Sequence, residues 1–348
     1  MKNKFKSVVL VVLSLLIGFS NLTNAAEKKV TIGFSHYTGW EPYAYIHEFG
    51  LMDKWNKKYG TNVQIDFYND YGESMSAYTS GSIQGVTLTN MDALMSPAAG
   101  GIVSTVLING DYSNGNDAIA VRGGTSCDNI KGKEVLLLEG SVSHYALSRF
   151  LGNCNMTEDD VILQNTSDAD IATVYLTSPD VAVVTWNPPL QQVMSDPDTN
   201  IAFSSKEIPG EILDSLYVRS DISDNSKKAL VGAWYEAMSI LSTKGKANRE
   251  MVQFMAEFSG ATPNEFKSQM RTTAFFFTPE DAINFANDNK LKSIMHKVDA
   301  FILTHGLYAG DHKAVGIQYP DGTVTGNPSN IRIHFDSSYT QLAADGKL

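Results

Sequence analysis

Only two cysteines, Cys127 and Cys154, occur in the 348 residues, and they form no Cys-x-x-Cys pair. The chain likewise lacks a His-Glu-x-x-His helix, a Gly-x-Ser-x-Gly elbow and a phosphate-binding Gly-rich loop with Lys. Those absences remove the usual signatures of thiol redox, zinc protease, serine hydrolase and nucleotide-hydrolysing chemistry. The seven histidines are dispersed, with His305 and His312 only a loose pair, so no metal site is expected. No long apolar run follows the first 19 residues, and no cysteine precedes Cys127, which excludes a membrane span and a lipid-anchored amino terminus of the usual kind.

The first 26 residues have a pattern of their own. Lys2, Lys4 and Lys6 precede an apolar run from Val8 to Phe19, and Asn24-Ala25-Ala26 supplies small residues before Glu27-Lys28-Lys29. This is the pattern of a secretory signal peptide, so residues 27 onward are expected to work as a soluble protein in a bacterial periplasm. Loss of Lys2, Lys4 and Lys6 takes the formal charge from -11 to -14, a surface that repels nucleic acid and anionic lipid. In an oxidising compartment Cys127 and Cys154 are expected to pair, closing a loop of about 28 residues at a nominal gain of about 3 kcal/mol. Two buried free thiols are the alternative.

About 322 residues exceed what one core usually serves, so two lobes are expected. Short β-branched runs at 30–34, 63–67, 86–89 and 103–108 alternate with helix candidates at 42–58, 73–80 and 92–98. A second set follows, with strands at 118–121, 134–138, 161–163, 181–184 and 201–203 and helices at 143–152, 168–177 and 188–194. A strand at 212–218 leads back, and helices fit 226–242, 247–258, 263–270, 279–287 and 290–305, two of them opened by Pro263 and Pro279. The tail offers one strand, 331–335. The expected architecture is α/β: a first lobe of 27–117 returning as a mostly helical 215–348, and a second lobe of 118–214, each a doubly wound sheet with flanking helices.

Ligands of open α/β sheets bind beyond the carboxyl ends of the strands. Six loops sit there: 35–42, 89–92, 111–117, 139–144, 185–189 and 207–214. They hold Glu41, Asp92, Asp111, Asp117, Glu139, Glu207, Glu211 and Asp214, and no Lys or Arg. An anion site would normally add Arg or Lys forks to helix amino termini. A small cationic or hydrogen-bonding ligand fits better, stacked on Tyr37, Trp40 or Trp186. The expected ligand set is Tyr37, Trp40, Glu41, Asn90, Asp92, Asn116, Glu139, Ser141, His144, Trp186, Glu211 and Asp214. Asp92 and Ser141 have helix capping as a second role, Asp111 and Asp117 read as turn or hinge residues, and Trp55 and Trp234 as core.

At these same loops the chain resembles a periplasmic solute-binding protein of an ATP-driven importer, of the two-lobed type II group that includes nitrate, sulfonate, taurine and thiamine-precursor binders. The carriers are Tyr37-Thr-Gly-Trp40, Thr89-Asn-Met-Asp-Ala-Leu94, Asp111-Tyr-Ser-Asn-Gly-Asn-Asp117, Gly140-Ser-Val-Ser-His-Tyr145, Val183-Val-Thr-Trp-Asn-Pro188 and Ile208-Pro-Gly-Glu-Ile212. Together they are similar to a branch labelled putative urea importers, encoded beside urea-carboxylase-like enzymes, several of which act on guanidine. The resemblance implies capture of urea, guanidine or a small amidine by a monomer that closes on its ligand and docks on a membrane permease served by a cytoplasmic ATPase. It implies no cofactor and no catalysis. The charge count favours guanidinium, which is planar, permanently cationic and rich in donors. Urea or another amide, taurine, sulfonate, nitrate, a thiamine-precursor binder or synthase, and a receptor serving a sensor kinase or chemoreceptor remain the alternatives.

Overall fold

The computed structural model describes residues 28–308 and 315–348. The segment read as a signal peptide, and His312, lie outside the described residues. The first lobe opens with β1 (Val30–Phe34), α1 (Glu41–Glu48), α2 (Leu51–Tyr59), β2 (Val63–Phe67), α3 (Tyr71–Ser80), β3 (Gly85–Thr89), α4 (Asn90–Ala93) and β4 (Ser104–Ser113). The second lobe runs β5 (Ala118–Arg122), β6 (Glu134–Leu137), α5 (Val142–Asn153), β7 (Ile162–Asn165), α6 (Ile171–Thr177), β8 (Val181–Thr185), α7 (Pro189–Val193) and β9 (Thr199–Ser204). The chain then returns through β10 (Leu213–Arg219), α8 (Asp224–Ser242), α9 (Lys246–Phe258), α10 (Pro263–Met270), β11 (Thr273–Phe275), α11 (Pro279–Asn287), α12 (Asn289–Thr304), β12 (Gly316–Gln318), β13 (Val324–Gly326), β14 (Ile331–Phe335) and α13 (Ser338–Ala344).

Each lobe is built on a mixed sheet. The larger has the order β13-β12-β14-β4-β10-β3-β1-β2, with β11 added to β4; the smaller has the order β7-β6-β8-β5-β9. Within the first, β1 is parallel to β2 and β3, whereas β10 runs antiparallel between β3 and β4. In the second, β6 is parallel to β7 and β8, and β5 lies antiparallel between β8 and β9. The helices on both faces make this the doubly wound α/β arrangement that the strand and helix alternation implies. Strands β1, β3 and β8 are buried along their whole length, as strands covered on both faces must be. The Cys127–Cys154 disulfide is present. Trp234 is fully buried on α8; Trp55 packs on that helix and donates its Nε1–H to Glu236.

Several elements differ from the expected ones. The helix expected over 42–58 is two helices, because Gly50 adopts φ 69°, a left-handed conformation that ends one and starts the next. The helix expected over 92–98 is the short α4 followed by a wider π-helical turn, Leu94–Ala98, that contains Pro97. The tail holds β12, β13 and α13 besides the expected strand: strands of three residues and a helix of seven carry too little periodicity to be read. Helix α10 and helix α11 start at Pro263 and Pro279 as expected, with Thr262 and Thr278 as amino-terminal caps.

Candidate functional site

The sheet geometry brings four aspartates together. Asp214 on β10 lies directly opposite Asp111 on one neighbour, β4, and opposite Thr89 on the other, β3. Asp117, on the crossing between the lobes, and Asp92, on α4, complete the group. All four are buried. Like charges opposite one another in a sheet oppose pairing, and no lysine or arginine lines the cavity that they surround. That cavity is small, with about 10 Å³ open to the centre of a water-sized sphere, room for about one water. Asp117 and Asp214 line it directly, with the rings of Tyr37, Trp40 and Tyr71 from the first lobe and Trp186 from the second. Four larger surface grooves among the described residues are lined by no buried aspartate or glutamate.

Two tyrosines link the aromatic walls to the acids behind them. The Tyr37 hydroxyl donates to Asp111 Oδ1 at 2.8 Å. The Tyr71 hydroxyl donates to Asp92 Oδ2 at 2.6 Å and accepts from the Thr89 N–H at 3.2 Å. Thr89 Oγ1 also donates to Asp92 Oδ2, at 2.8 Å. One oxygen each of Asp92 (Oδ1), Asp111 (Oδ2) and Asp214 (Oδ2), and Trp40 Nε1, have no hydrogen-bond partner. Buried polar atoms are nearly always paired, so three orphan carboxyl oxygens and one orphan indole donor are an unusual concentration. The ring of Tyr37 meets that of Trp40 edge-on at 5.0 Å, and Trp186 meets Tyr71 edge-on at 5.7 Å.

Burial dominates the electrostatics. It pushes Asp92 up to about 6 despite the opposing Tyr71 and Thr89 hydroxyls and the nearby Val142 N–H, and pushes Asp117 up to about 7 against the Ser113 hydroxyl. Asp111 and Asp214 form a tightly coupled pair, both raised by burial, each also by its acidic neighbours. The same environment holds the Tyr37 and Tyr71 hydroxyls protonated, far above the ordinary tyrosine range. The assembly is a set of buried carboxyls that lacks a counter-charge and therefore tends to hold its protons. Among the described residues no three His, Cys, Asp or Glu side chains come together in a group able to hold a metal ion.

Of the twelve residues expected to form the site, Tyr37, Trp40, Trp186 and Asp214 line the cavity, and Asp92 stands behind Tyr71. The others are engaged elsewhere. Glu211 is paired with Arg149 and Lys297, which reach it from α5 and α12 at 3.1 and 3.0 Å, and accepts from the Tyr145 hydroxyl. Those cations lie outside the six loops, where a count restricted to the loops could not see them. His144 pairs with Glu158 at 2.8 Å, and Glu139 is exposed beside the Asn165 amide. Ser141 caps α5 through the Ser143 N–H. Asn90 bridges the Glu211 carbonyl and the Leu213 N–H, Asn116 bridges Thr273 and the Asn187 N–H, and buried Glu41 pairs with His36 at 2.8 Å. Asp92 does not cap α4; Thr89 does. Asp111 and Asp117, read as turn or hinge residues, are core members of the acid group. Tyr71 falls outside the six loops, although Asp70-Tyr71 follows the end of β2 as those loops follow other strands.

No known protein-family model matches the chain, and no curated protein matches it by sequence. Solved structures do match. The alkanesulfonate-binding protein SsuA from Xanthomonas axonopodis pv. citri, bound to MOPS, is 13% identical, covers 82% of this chain and 96% of its own, with a TM-score of 0.68. The periplasmic aliphatic sulphonate-binding protein SsuA from Escherichia coli, at 13% identity, covers 80% of this chain and 88% of its own with a TM-score of 0.63. The periplasmic nitrate-binding protein NrtA from Synechocystis PCC 6803, also 13% identical, covers 92% and 99% with a TM-score of 0.57. The fold is that of the two-lobed periplasmic binding proteins.

Proposed function

We propose that this chain is the exported solute-binding receptor of an ATP-driven importer and that it captures guanidinium, delivering it to a membrane permease without chemical change. The observation that carries the ligand assignment is the group of four buried aspartates, three of them with an orphan oxygen, that no Lys or Arg among the described residues pairs with. A planar cation presents donors around its edge and two flat faces. In this reading Asp117 and Asp214, which line the cavity, accept from the edge, and Trp40, Trp186, Tyr37 and Tyr71 cover the faces. Sulfonate or nitrate, named for the structural neighbours, would be repelled by the same acids unless they are all protonated. Two-lobed receptors work by hinge closure, and a cavity walled by both lobes suits that movement.

Thermal shift and calorimetry at matched ionic strength, against guanidinium, methylguanidine, agmatine, urea, taurine and nitrate, test the reading. With a Kd near micromolar and about a thousandfold excess, guanidinium stabilises the protein by about 4 kcal/mol; taurine and nitrate leave it unchanged. Stabilisation by either anion instead refutes the assignment. Urea is a second reading with an observation of its own, since an aspartic acid raised to about 7 is partly protonated at neutral pH and offers a donor to a urea oxygen.

Gly39 supplies a further test. A Cβ at this position would sit 2.1 Å from Asp111 Oδ2 and 2.5 Å from the Tyr37 ring. Gly39→Ala therefore displaces Asp111 and Tyr37 together, and guanidinium affinity is expected to fall about tenfold or more by calorimetry. An unchanged Kd would show that Asp111 does not need its observed place.

A further inference from the structure

Helix α3 begins at the seam between the lobes. Its cap, Asp70, takes the Glu73 N–H on its side chain, which leaves the first helical N–H, that of Tyr71, without an acceptor inside the first lobe. The acceptor comes from the second lobe: Asp168 Oδ1 receives the Tyr71 N–H at 3.2 Å, and Asp168 is buried there. Neighbouring Ser167 donates across the same seam to Asp70 Oδ2. Tyr71 is therefore held at two ends, by Asp168 at its backbone and by Asp92 at its hydroxyl, with its ring forming a wall of the cavity and meeting Trp186 of the second lobe.

We propose that Asp168 is a cross-lobe latch that holds the closed form through the amino terminus of α3, and that Tyr71 couples this latch to the ligand cavity. The proposal rests on the cation-receptor reading for its ligand but on the seam geometry for the latch. Asp168 touches no part of the cavity, so it acts as a positioning residue. A ligand that fixes the Tyr71 ring fixes the start of α3, and with it the N–H that Asp168 must find. Loss of the latch opens the ligand-free protein and speeds release, while the encounter of ligand with the open cleft is unaffected.

The test uses the purified protein with spin labels at Ser76→Cys and Thr173→Cys, two exposed positions on α3 and α6, and follows the inter-lobe distance distribution without ligand. Asp168→Ala is expected to move population towards longer distances. With guanidinium as the probe, stopped-flow is expected to give an off-rate about tenfold higher with the on-rate within about twofold. Asp168→Asn, which keeps an acceptor, falls between the two and serves if the Ala variant does not fold. Equal off-rates and an unchanged distance distribution in the parent and both variants overturn the latch. Should guanidinium fail to bind even the parent while the distances still lengthen in Asp168→Ala, the latch stands and the ligand assignment falls.

Discussion

Replacing Asp214 by asparagine is expected to raise the thermal stability of the ligand-free protein and to cost guanidinium affinity by about 100-fold or more. The two effects have one cause. Asp214 is buried between Asp111 and Thr89, its Oδ2 has no hydrogen-bond partner, and burial with the neighbouring acids raises its pKa well above the ordinary value. A carboxyl in that position is a liability to folding, because ionising it means placing a charge among like charges in a dry environment. Asparagine has the same shape and no charge, so the folded state loses that cost. For a bound cation the balance reverses. A fully desolvated ion pair that loses one partner typically loses about 2–5 kcal/mol, much of it because the other charge is left buried alone. Asp117→Asn is expected to follow the same pattern, since it lines the same cavity and carries a similarly raised pKa. Calorimetric titration and thermal unfolding on the same samples provide the check. If Asp214→Asn binds guanidinium as the parent does, the acids are structural; if it lowers Tm without ligand, the aspartate is satisfied in a way the geometry does not indicate.

That trade of stability for binding also explains how far the sequence could be read. Alternating strands and helices are local patterns, and the long return helices α8 to α12 carry apolar stripes and proline starts that need no tertiary information. The acid excess was legible because it is a matter of composition at strand ends. Which acids face one another was not. Glu211 and Asp214 stand three residues apart, yet Glu211 meets Arg149 and Lys297 from distant helices, while the charged neighbours of Asp214 are the acids Asp111, Asp117 and Asp92, offset only by the Tyr37 hydroxyl. That separation depends on the antiparallel insertion of β10 between β3 and β4, a register that no local pattern encodes. Asp111 shows the same limit from the other side. Its Ser-Asn-Gly surroundings have the composition of a turn, but β4 continues through it to Ser113, and the register with β10 turns a hinge candidate into a buried acid behind Tyr37. Tyr71 illustrates a third case, a residue whose importance comes from two contacts, with Asp92 and with Asp168, that are 21 and 97 residues away.

The ligand-free protein is expected to lose stability as the pH rises from about 4 to about 8, whereas affinity for guanidinium rises over the upper part of the same interval. Carboxyls whose folded pKa exceeds the unfolded value of 3.8 bind more protons folded than unfolded, so their contribution is fully present below about pH 4 and is lost as the pH climbs through the folded values. For Asp92 at about 6 and Asp117 at about 7, the two shifts together are on the order of several kcal/mol. Asp111 and Asp214 act in the same direction. Surface acids such as Asp160 and Asp196 have lowered values, and their contribution disappears only on acidification below about pH 4, outside this window. Guanidinium must displace the protons that the apo site holds, so binding at pH 6 is expected to release about one proton or more per ligand, read from calorimetry in buffers of different ionisation enthalpy. Urea offers the opposing result. A neutral ligand that accepts from a protonated carboxyl binds best where the acids keep their protons, and its affinity declines as the pH rises. Parallel titrations with the two ligands from pH 5.5 to 8.5 therefore give slopes of opposite sign, and the sign obtained with the tighter ligand identifies the charge state in which this site does its work.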